Sequence, residues 1–409
     1  MTADNPLNAI TVIGIDSRPI DPQALARLES ATLVVGAARH LQTVAIPTTA
    51  RRIALGDVGA GLDALALDQA AGGTGVVLAS GDPGFFGITR LLHERTLPIE
   101  VFPAVSSIAT LCARAGVRWD DAIVVSAHGR GDRGLRRAIN TCRALPKVAI
   151  LTAPGHGPAE IGAALTQFGR RLVIGTALGT PDESVTSCLP DEAAAQTWSE
   201  PNVVLVLSDD LGERSLAFPP RQSPDCWALD ESAFEHRDGM ITKSEVRAVA
   251  LAQLGPGVGD LIWDIGAGSG SVAIECARFG AAVDAVEVDP AQVERIRRNA
   301  ASHGVEVHVV TGRAPEAFAN LTDPDAVFIG GGGADGTAIV EAAAMRRPRS
   351  IVVALAALER VGPVSQALRD AGYETGGVQL SASRLASLPG DLTRLAATNP
   401  IVLISGALQ

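Results

Sequence analysis

The sequence predicts an α/β protein made of two modules, each with a largely parallel sheet covered by helices. Short apolar runs alternate with helical patterns along most of the 409 residues, which is the element order of parallel α/β folds. Apolar residues make up 47% of the chain and aromatic residues only 3%, so the cores must consist mainly of Ala, Val, Leu and Ile. Such cores are typical of parallel sheets that are buried on both faces.

The first half is predicted to contain eight strands, most of them separated by helices. Helical periodicity is clear at 22–30, 107–115 and 158–169. The apolar runs that predict strands are Ile10–Gly14, Thr32–Gly36, Gly75–Ala79, Ile99–Phe102, Ala122–Ser126, Val148–Leu151, Leu172–Thr176 and Asn202–Leu207.

A linker is predicted where this alternation stops, shortly after Leu211. Pro219, Pro220 and Pro224 follow with few apolar neighbours. Because proline lacks a backbone donor and fixes φ, such a stretch does not continue a helix or a central strand. We therefore expect one domain at 1–212, a linker at 213–235 and a second domain at 236–409.

The second half is predicted to form a sheet of seven strands. Helical segments separate the strands up to the last two, which we expect to be joined by a loop around 389–390. The apolar runs are Leu261–Ile265, Ala282–Glu287, Val305–Val310, Ala326–Gly330, Ile351–Leu355, Gly377–Ser381 and Ile401–Ser405.

A glycine-rich loop after the first of these strands is the strongest functional signal. Gly266, Gly268 and Gly270 follow Asp264, a helical pattern follows them, and Glu287 ends the next strand. The start of a helix offers free backbone N–H groups to a ligand, and glycine permits close approach to the backbone. A carboxylate at the end of the next strand can accept the hydroxyls of a ribose. A simple strand-to-helix turn is the alternative.

The cofactor that this loop predicts is S-adenosylmethionine (SAM) rather than NAD. Ser271 lies where the dinucleotide fingerprint requires its third glycine. The spacing and the leading Asp264 resemble the Rossmann-like SAM methyltransferases. That resemblance implies that the loop wraps the amino-acid end of the cofactor.

The first half contains a different motif. Ser80-Gly81-Asp82-Pro83-Gly84 follows a predicted strand, and Ser106 and Ser107 stand at a predicted helix start. Taken separately, these are an ordinary turn and a helix N-cap. In this order and spacing they resemble the tetrapyrrole methylase family, a second SAM-binding fold of two α/β subdomains with the cofactor between them. The resemblance implies cofactor contacts at Gly81, Asp82, Ser106 and Ser107, and further contacting segments at 152–154 and 177–183. The family's glycine-rich first loop is altered here to Gly14-Ile15-Asp16-Ser17-Arg18-Pro19.

The whole chain resembles the precorrin-6Y C(5,15)-methyltransferase (decarboxylating) family of cobalamin biosynthesis. This resemblance rests on the domain order, on the segment 238–247 and on the glycine run 330–333. It implies one SAM per domain, with the second held by Thr242, Asp264, Gly266, Gly268, Gly270, Glu287 and Ala314. It also implies substrate contacts at Lys243, Gly331 and Gly332, although Lys243 could equally be an exposed residue that pairs with Glu245 or Asp238.

The implied substrate is a tetrapyrrole with several carboxylates, for which arginine is suited. Arg346 and Arg347 are candidate substrate-binding residues, within a cluster with Arg349. A second cluster consists of Arg130, Arg133, Arg136 and Arg137. No catalytic acid or base can be assigned, and His128, His156 and Asp16 are candidates only because they follow predicted strands. No metal site is expected.

Composition excludes other classes of partner. The net charge of −11 argues against nucleic-acid binding, and no apolar run is long enough to cross a membrane. The N-terminal residues show no signal-peptide pattern and the five cysteines show no metal or disulfide spacing, which predicts a cytoplasmic protein. A homo-oligomer is compatible with the sequence. The rival functions are an NAD-dependent oxidoreductase, and a single-site SAM methyltransferase whose N-terminal module only presents substrate.

Overall fold

A computed structural model describes residues 9–56, 58–127, 132–209, 224–330 and 333–408. The chain divides into two compact units. Unit 1 contains Met1–Trp119, Ala149–Glu160 and Leu172–Leu205, and unit 2 contains Asp120–Val148, Ile161–Arg171 and Val206–Gln409. Much of the predicted linker lies outside the described residues, so the domain boundary stays a prediction.

The first sheet of unit 1 has the strand order β3-β2-β4-β1-β5, and its four pairs of neighbouring strands are all parallel. Alternate residues of its strands face opposite sides of the sheet: Ile13 and Val34 pack with helix α1, whereas Val12 and Val35 pack with helix α3. The strands are β1 (Ile10–Ile15), β2 (Leu33–Gly36), β3 (Arg51–Ala54), β4 (Gly75–Ser80) and β5 (Ile99–Phe102); the helices are α1 (Pro22–Glu29), α2 (Ala38–Thr43), α3 (Val58–Ala70), α4 (Ile88–Glu94) and α5 (Ser107–Ala115).

The second sheet has the order β6-β7-β10-β8-β9, and β8 and β9 are antiparallel. Its strands are β6 (Ile123–Ser126), β7 (Lys147–Leu151), β8 (Arg170–Thr176), β9 (Ser184–Cys188) and β10 (Asn202–Ser208). The helices along this part of the chain are α6 (Asp132–Ala144), α7 (Pro158–Leu165) and α8 (Pro190–Ala194).

The main sheet of unit 2 has seven strands in the order β13-β12-β11-β14-β15-β19-β16. The first five strands of that order are parallel and β19 is antiparallel to both of its neighbours. These strands are β11 (Leu261–Ile265), β12 (Ala282–Glu287), β13 (His308–Thr311), β14 (Ala326–Ile329), β15 (Ser350–Leu355), β16 (Glu374–Leu380) and β19 (Ile401–Ala407). The helices are α9 (Ser244–Leu254), α10 (Ser271–Arg278), α11 (Pro290–Ser302), α12 (Gly336–Ala344) and α13 (Val361–Asp370).

A separate antiparallel ribbon lies between β16 and β19 in the sequence. It consists of β17 (Ser383–Leu388) and β18 (Leu392–Ala397), with Gly390 and Asp391 at positive φ in its turn. The loop that we predicted around 389–390 is the turn of this ribbon, and the flanks of that turn, which we did not predict to be strands, pair with each other. Four leucines of the ribbon are exposed, namely Leu385, Leu388, Leu392 and Leu395.

The α/β fold class predicted from the sequence is confirmed, and the differences lie at exposed elements. β3 and β9 were not predicted, since both are edge strands with mostly exposed or polar residues such as Arg51 and Arg52. Helix α7 ends at Leu165, earlier than the predicted 169. In the described part of the chain, no helix is both long and apolar enough to cross a membrane.

Candidate cofactor-binding sites

The loops predicted to bind the second SAM meet at one edge of the unit 2 sheet. Ile265 is in register with Val286 on one side and with Ile329 on the other, and Glu287 is in register with Thr311. The strands are parallel, so the loops that follow them emerge at the same carboxyl edge. β11 is also the point at which the strand order reverses, and ligands of open α/β sheets bind at such points.

The three glycines of the first loop have different surroundings. Gly266, Gly268 and Gly270 all have positive φ, at 68°, 56° and 76°, which other residues rarely adopt. A Cβ on Gly270 would lie 3.0 Å from Ile296 of α11, so this glycine is needed for packing. A Cβ on Gly268 would meet no described heavy atom within 4 Å, apart from its chain neighbours. Gly268 therefore presents bare backbone to open space.

Glu287 faces the glycine-rich loop. Its Oε2 accepts a hydrogen bond from the Gly268 N–H at 2.8 Å. Its Oε1 accepts bonds from the N–H groups of Val288 at 2.8 Å and Asp289 at 3.0 Å. A carboxylate offers about four acceptor positions, so one remains on Oε2 for a ligand hydroxyl. The side chain is thus both a brace for the loop and a candidate ribose acceptor.

Asp264 supports the loop from behind. It is fully buried, and its Oδ2 accepts a 2.9 Å bond from the N–H of Ala273 in the first turn of α10. It therefore caps the helix, whose own N-cap residue is Gly270 and offers no side chain. Burial raises the pKa of Asp264 to about 7; the bond from Ala273 opposes this rise, and the charge of Glu287 adds to it.

Thr242 and Lys243 lie immediately before α9. The Lys243 ammonium donates to the Gly239 carbonyl at 3.3 Å, so the structure shows it half-buried and bonded to backbone. The Thr242 carbonyl accepts a 2.5 Å bond from Arg247, which is 0% exposed and pairs with Glu275 at 3.4 Å. Arg247 was not singled out in the sequence, although an arginine on the apolar face of a helix is a signal of buried polar contacts.

A second network fixes the start of α9. The Ser244 N–H donates to Glu231 at 2.8 Å, and Arg384 of the ribbon pairs with both Glu231 and Glu245. Hydrogen bonds from Arg384 lower the pKa of Glu231 to about 2, against the effect of its burial. The start of α9, next to Thr242, is therefore tied to Glu231 shortly before it in the sequence and to the distant Arg384.

The remaining predicted residues of this site lie on the loops after β13 and β14. The Gly312 N–H donates to the Glu287 carbonyl at 2.9 Å, which places the segment containing Ala314 beside the end of β12. The Gly330 N–H donates to the Ile265 carbonyl at 2.9 Å. Gly331 and Gly332 lie outside the described residues.

The arginine clusters lie at the opposite edge of this sheet. Arg346, Arg347 and Arg349 precede β15, whose amino end is remote from the glycine-rich loop. Arg346 pairs with Asp323 at 2.8 Å and Arg349 pairs with Asp260 at 3.0 Å, just before β11, while Arg347 approaches a backbone carbonyl. The structure therefore does not bring these residues to the predicted site. The sequence could not show this, because residue spacing does not tell which edge of the sheet a loop faces.

The other cluster behaves in the same way within unit 2. Arg136 pairs with Asp325, just before β14, and Arg137 donates to the Val258 carbonyl at 3.0 Å. Arg133 is exposed, and Arg130 and His128 lie outside the described residues.

In unit 1, three loops meet at the carboxyl edge of the first sheet. The Gly81 N–H donates to the Ile15 carbonyl at 2.8 Å. A Cβ on Gly14 would lie 2.4 Å from the Gly81 carbonyl oxygen and 2.6 Å from the Ala104 nitrogen. No side chain fits there, so Gly14 is required for this approach even though the other glycines of its loop are absent.

Asp16 connects the altered first loop to the loop after β5. Its Oδ2 accepts from the Val105 N–H at 3.0 Å, and its carboxylate also binds the backbone and guanidinium of Arg18. Partial burial alone would raise its pKa, but the bonds from Arg18 and Val105 outweigh this and lower it. Asp16 is therefore a structural brace in this structure.

The predicted ligand residues of unit 1 also serve local structure. Ser106 is the N-cap of α5, where its Oγ accepts from the Ala109 N–H at 3.1 Å, and Ser107 is the first residue of that helix. Asp82 accepts from the Gly84 N–H at 2.8 Å in the turn after β4. The geometry thus agrees with the simple turn and N-cap alternatives, and it leaves these residues at the sheet edge where a ligand would bind.

The two further segments lie in unit 1 as well. Gly179, at a φ of 81°, would place a Cβ 2.9 Å from the Ser17 hydroxyl, so the 177–183 loop contacts the first loop. The Gly179 N–H donates to Glu183 at 2.6 Å. Thr152 donates to the Asn202 carbonyl, and His156 lies in the turn that follows.

Comparisons with known proteins match the two halves of the chain to two different families. A family model described as a precorrin methyltransferase domain matches residues 232–406, and one described as tetrapyrrole (corrin/porphyrin) methylases matches residues 14–194. A precorrin-6Y C(5,15)-methyltransferase [decarboxylating] from Sinorhizobium sp is 37% identical over 82% of this chain and 81% of its own length.

Two shorter relatives each match about half of the chain. A protein of Pyrobaculum calidifontis named probable cobalt-precorrin-6B C(15)-methyltransferase (decarboxylating) is 36% identical over 43% of this chain and 94% of its own length. A cobalt-precorrin-7 C(5)-methyltransferase of Salmonella typhimurium is 34% identical over 49% of this chain and 99% of its own length.

Proposed function

The chain belongs to the precorrin-6Y C(5,15)-methyltransferase (decarboxylating) family, and from that membership we propose that it carries out two methylations and one decarboxylation on a single tetrapyrrole. The substrate is precorrin-6B (precorrin-6Y) and the product is precorrin-8. The C-terminal domain, 236–409, methylates carbon 15 and removes the carboxyl group of the carbon-12 acetate. The N-terminal domain, 1–212, methylates carbon 5, and 213–235 links the two. The two shorter relatives, whose names divide the reactions in this way, support the assignment.

The family uses SAM, and the unit 2 loops suit its chemistry. Gly268 leaves room for a ligand against bare backbone, and Glu287 keeps an acceptor for a ribose hydroxyl. The first turn of α10 directs backbone N–H groups and the positive end of its dipole towards the same edge. Asp264 holds the start of that helix through the N–H of Ala273. This meeting of Gly268 and Glu287 is the single observation that carries the proposal.

A second SAM site in the N-terminal domain is proposed on the three loops that meet beside Gly14. The alternative is a domain that presents substrate without binding a cofactor. One observation favours this alternative: the first loop contains the ion pair between Asp16 and Arg18 where the family has glycines. We favour two sites, because Gly14 and Gly81 still permit the close approach of these loops.

The residues of both sites act by binding and alignment. When bound, SAM supplies a methyl group on a sulfonium to an electron-rich ring carbon. The protein must hold the two reacting atoms in line and exclude water, and this requires neither a nucleophile nor a metal. The glycine-rich loop and Glu287 fix one partner. Arg247 holds the Thr242 segment, whose neighbour Ile241 packs in the same cluster as Ile274 of α10. Loss of carbon dioxide leaves an electron pair that the conjugated ring system can accept.

We also propose that the chain forms a homo-oligomer, since Leu385 and Leu395 are paired across the ribbon and both exposed, and adjacent exposed leucines favour self-association. Light scattering would measure it, and a monomer at assay concentrations would refute it. A cytoplasmic location stays a prediction.

The test uses the full chain with precorrin-6B and SAM, with the product analysed by mass spectrometry and by NMR of the new methyl carbons. We expect two methyl groups to be gained and one carbon dioxide to be lost. Glu287→Gln should slow methylation at carbon 15. When the substrate already carries the carbon-15 methyl group, the same variant should methylate carbon 5 at the wild-type rate. No mass change with the wild-type chain would refute the proposed function.

A further inference from the structure

Three side chains form a cluster at the carboxyl edge of the first sheet that the sites described above do not use. Ser80 is the last residue of β4, and Arg39 and His40 lie in the first turn of α2. The Arg39 guanidinium donates to the Ser80 hydroxyl oxygen at 2.6 Å, and His40 Nε2 lies 2.8 Å from the same oxygen. All three belong to unit 1.

The inner side of the cluster is buried and its outer side is exposed to solvent. His40 is only 8% exposed, whereas Arg39 and Ser80 are exposed. Burial, with a smaller contribution from the charge of Arg39, lowers the pKa of His40 to about 4, so its ring is neutral near pH 7. Whichever ring nitrogen carries the proton, the Ser80 hydroxyl can share a hydrogen bond with His40 Nε2 and still accept the bond from Arg39.

Within the described residues, no carboxylate lies within ion-pair distance of Arg39, and its guanidinium donates one hydrogen bond, to Ser80. Other arginines of unit 1 are paired, Arg18 with Asp16 and Arg114 with Glu183. A guanidinium has five N–H donors in a planar fork, so most of those on Arg39 remain available to an anion.

The cation also stands beside the candidate cofactor loops. Ser80 continues directly into Gly81, whose Cβ position would lie 3.2 Å from the Ser106 backbone and whose N–H binds the Ile15 carbonyl. A planar fork held at this edge matches a carboxylate of a ligand in shape and charge.

We propose that Arg39 binds a carboxylate of the macrocycle in the N-terminal methylation site, and that Ser80 and His40 are positioning residues that fix its guanidinium. This proposal rests on the proposed function, because it assumes a polycarboxylate substrate. Arg39 contacts a side chain of the substrate and not the reacting carbon, so it contributes binding that is equal in the ground state and the transition state.

The kinetic consequence is specific. Loss of uniform binding raises KM and leaves kcat unchanged. For methylation at carbon 5, we expect Arg39→Gln to raise KM for the macrocycle by about 10- to 100-fold, the range for one charge-assisted pair. Arg39→Lys should give an intermediate KM, since it retains charge without the fork. Ser80→Ala should raise KM less than Arg39→Gln, and Ser80→Thr should restore it.

The experiment uses the full chain and a macrocycle already methylated at carbon 15 and decarboxylated, so that only carbon-5 methylation is observed. Arg90→Gln is the matched control, because Arg90 is exposed on α4 and pairs with Glu94. SAM binding by each variant is measured first, and should be unchanged. The same macrocycle with its carboxylates esterified should bind wild type and Arg39→Gln equally.

Each outcome decides between explanations. An inactive wild-type chain refutes the proposed function. An active wild type with an unchanged KM in Arg39→Gln overturns the inference alone. The inference is also overturned if Arg39→Gln loses SAM binding, or if it weakens binding of the esterified macrocycle as much as binding of the free acid.

Discussion

Replacement of Glu287 by glutamine tests the C-terminal site most selectively. The carboxylate accepts N–H bonds from Gly268, Val288 and Asp289 and keeps one acceptor position for a ligand. Glutamine has a single acceptor oxygen. If that oxygen serves Val288 and Asp289, the amide NH₂ faces the Gly268 N–H, and the bond that joins Glu287 to the loop is lost.

The magnitude follows from the bonds that are removed. A ribose hydroxyl that donates to the free acceptor position of Glu287 makes a bond that exists only in the bound state. A hydrogen bond to a charged group contributes about 1.5–3 kcal/mol, so its loss should raise Kd at this site by about 10- to 100-fold. Glu287 is not part of the N-terminal site, so the affinity of that site for SAM should not change.

Calorimetric titration of the full chain with SAM would measure both affinities. Glu294→Gln is the matched control, because Glu294 carries the same side chain on the exposed face of α11 and pairs only with Arg297 in the described structure. Equal affinities in Glu287→Gln and wild type would refute the assignment. So would an equal loss in the control.

Three other predictions concern buried or tightly packed positions. Asp264→Asn should remove a pH dependence: with a folded pKa of about 7 against 3.8 unfolded, wild type retains a proton that the unfolded chain releases, so its stability falls by about 3 kcal/mol between pH 5 and pH 8. Urea unfolding at the two pH values would show that fall in wild type only, and parallel behaviour would contradict the burial argument. Gly14→Ala should abolish SAM binding at the N-terminal site and spare the other, because its Cβ would force two loops apart; site-resolved methylation would check this, and normal carbon-5 methylation would contradict it. Asp284→Asn should destabilise unit 2 by about 3–5 kcal/mol, because it breaks the buried pair with Arg143, and unchanged urea unfolding would disprove that role.

The sequence predicted the buried framework well, because apolar runs such as Leu261–Ile265 can only be placed inside a sheet. The meeting of Gly268 and Glu287 followed from the parallel strand order. Edge strands such as Arg51–Ala54 were not predicted, since exposed strands need no apolar alternation.

The sequence was a poorer guide to long-range polar contacts. Arg346 and Arg136 were expected near a substrate, but ion pairs with Asp323 and Asp325 hold them at the amino edge of the sheet. Arg39 was not considered, because nothing local distinguishes it from other exposed arginines. Its significance depends on Ser80, which is distant in sequence and adjacent only after folding.

The account depends on two separate clefts that bind the same cofactor. Equilibrium dialysis of the full chain against radiolabelled SAM, at concentrations well above both dissociation constants, measures this directly. We predict two molecules bound per wild-type chain and one per chain of the Gly14→Ala variant. A wild-type value of one would contradict the two-site account, and a value of zero would contradict the assignment of both clefts.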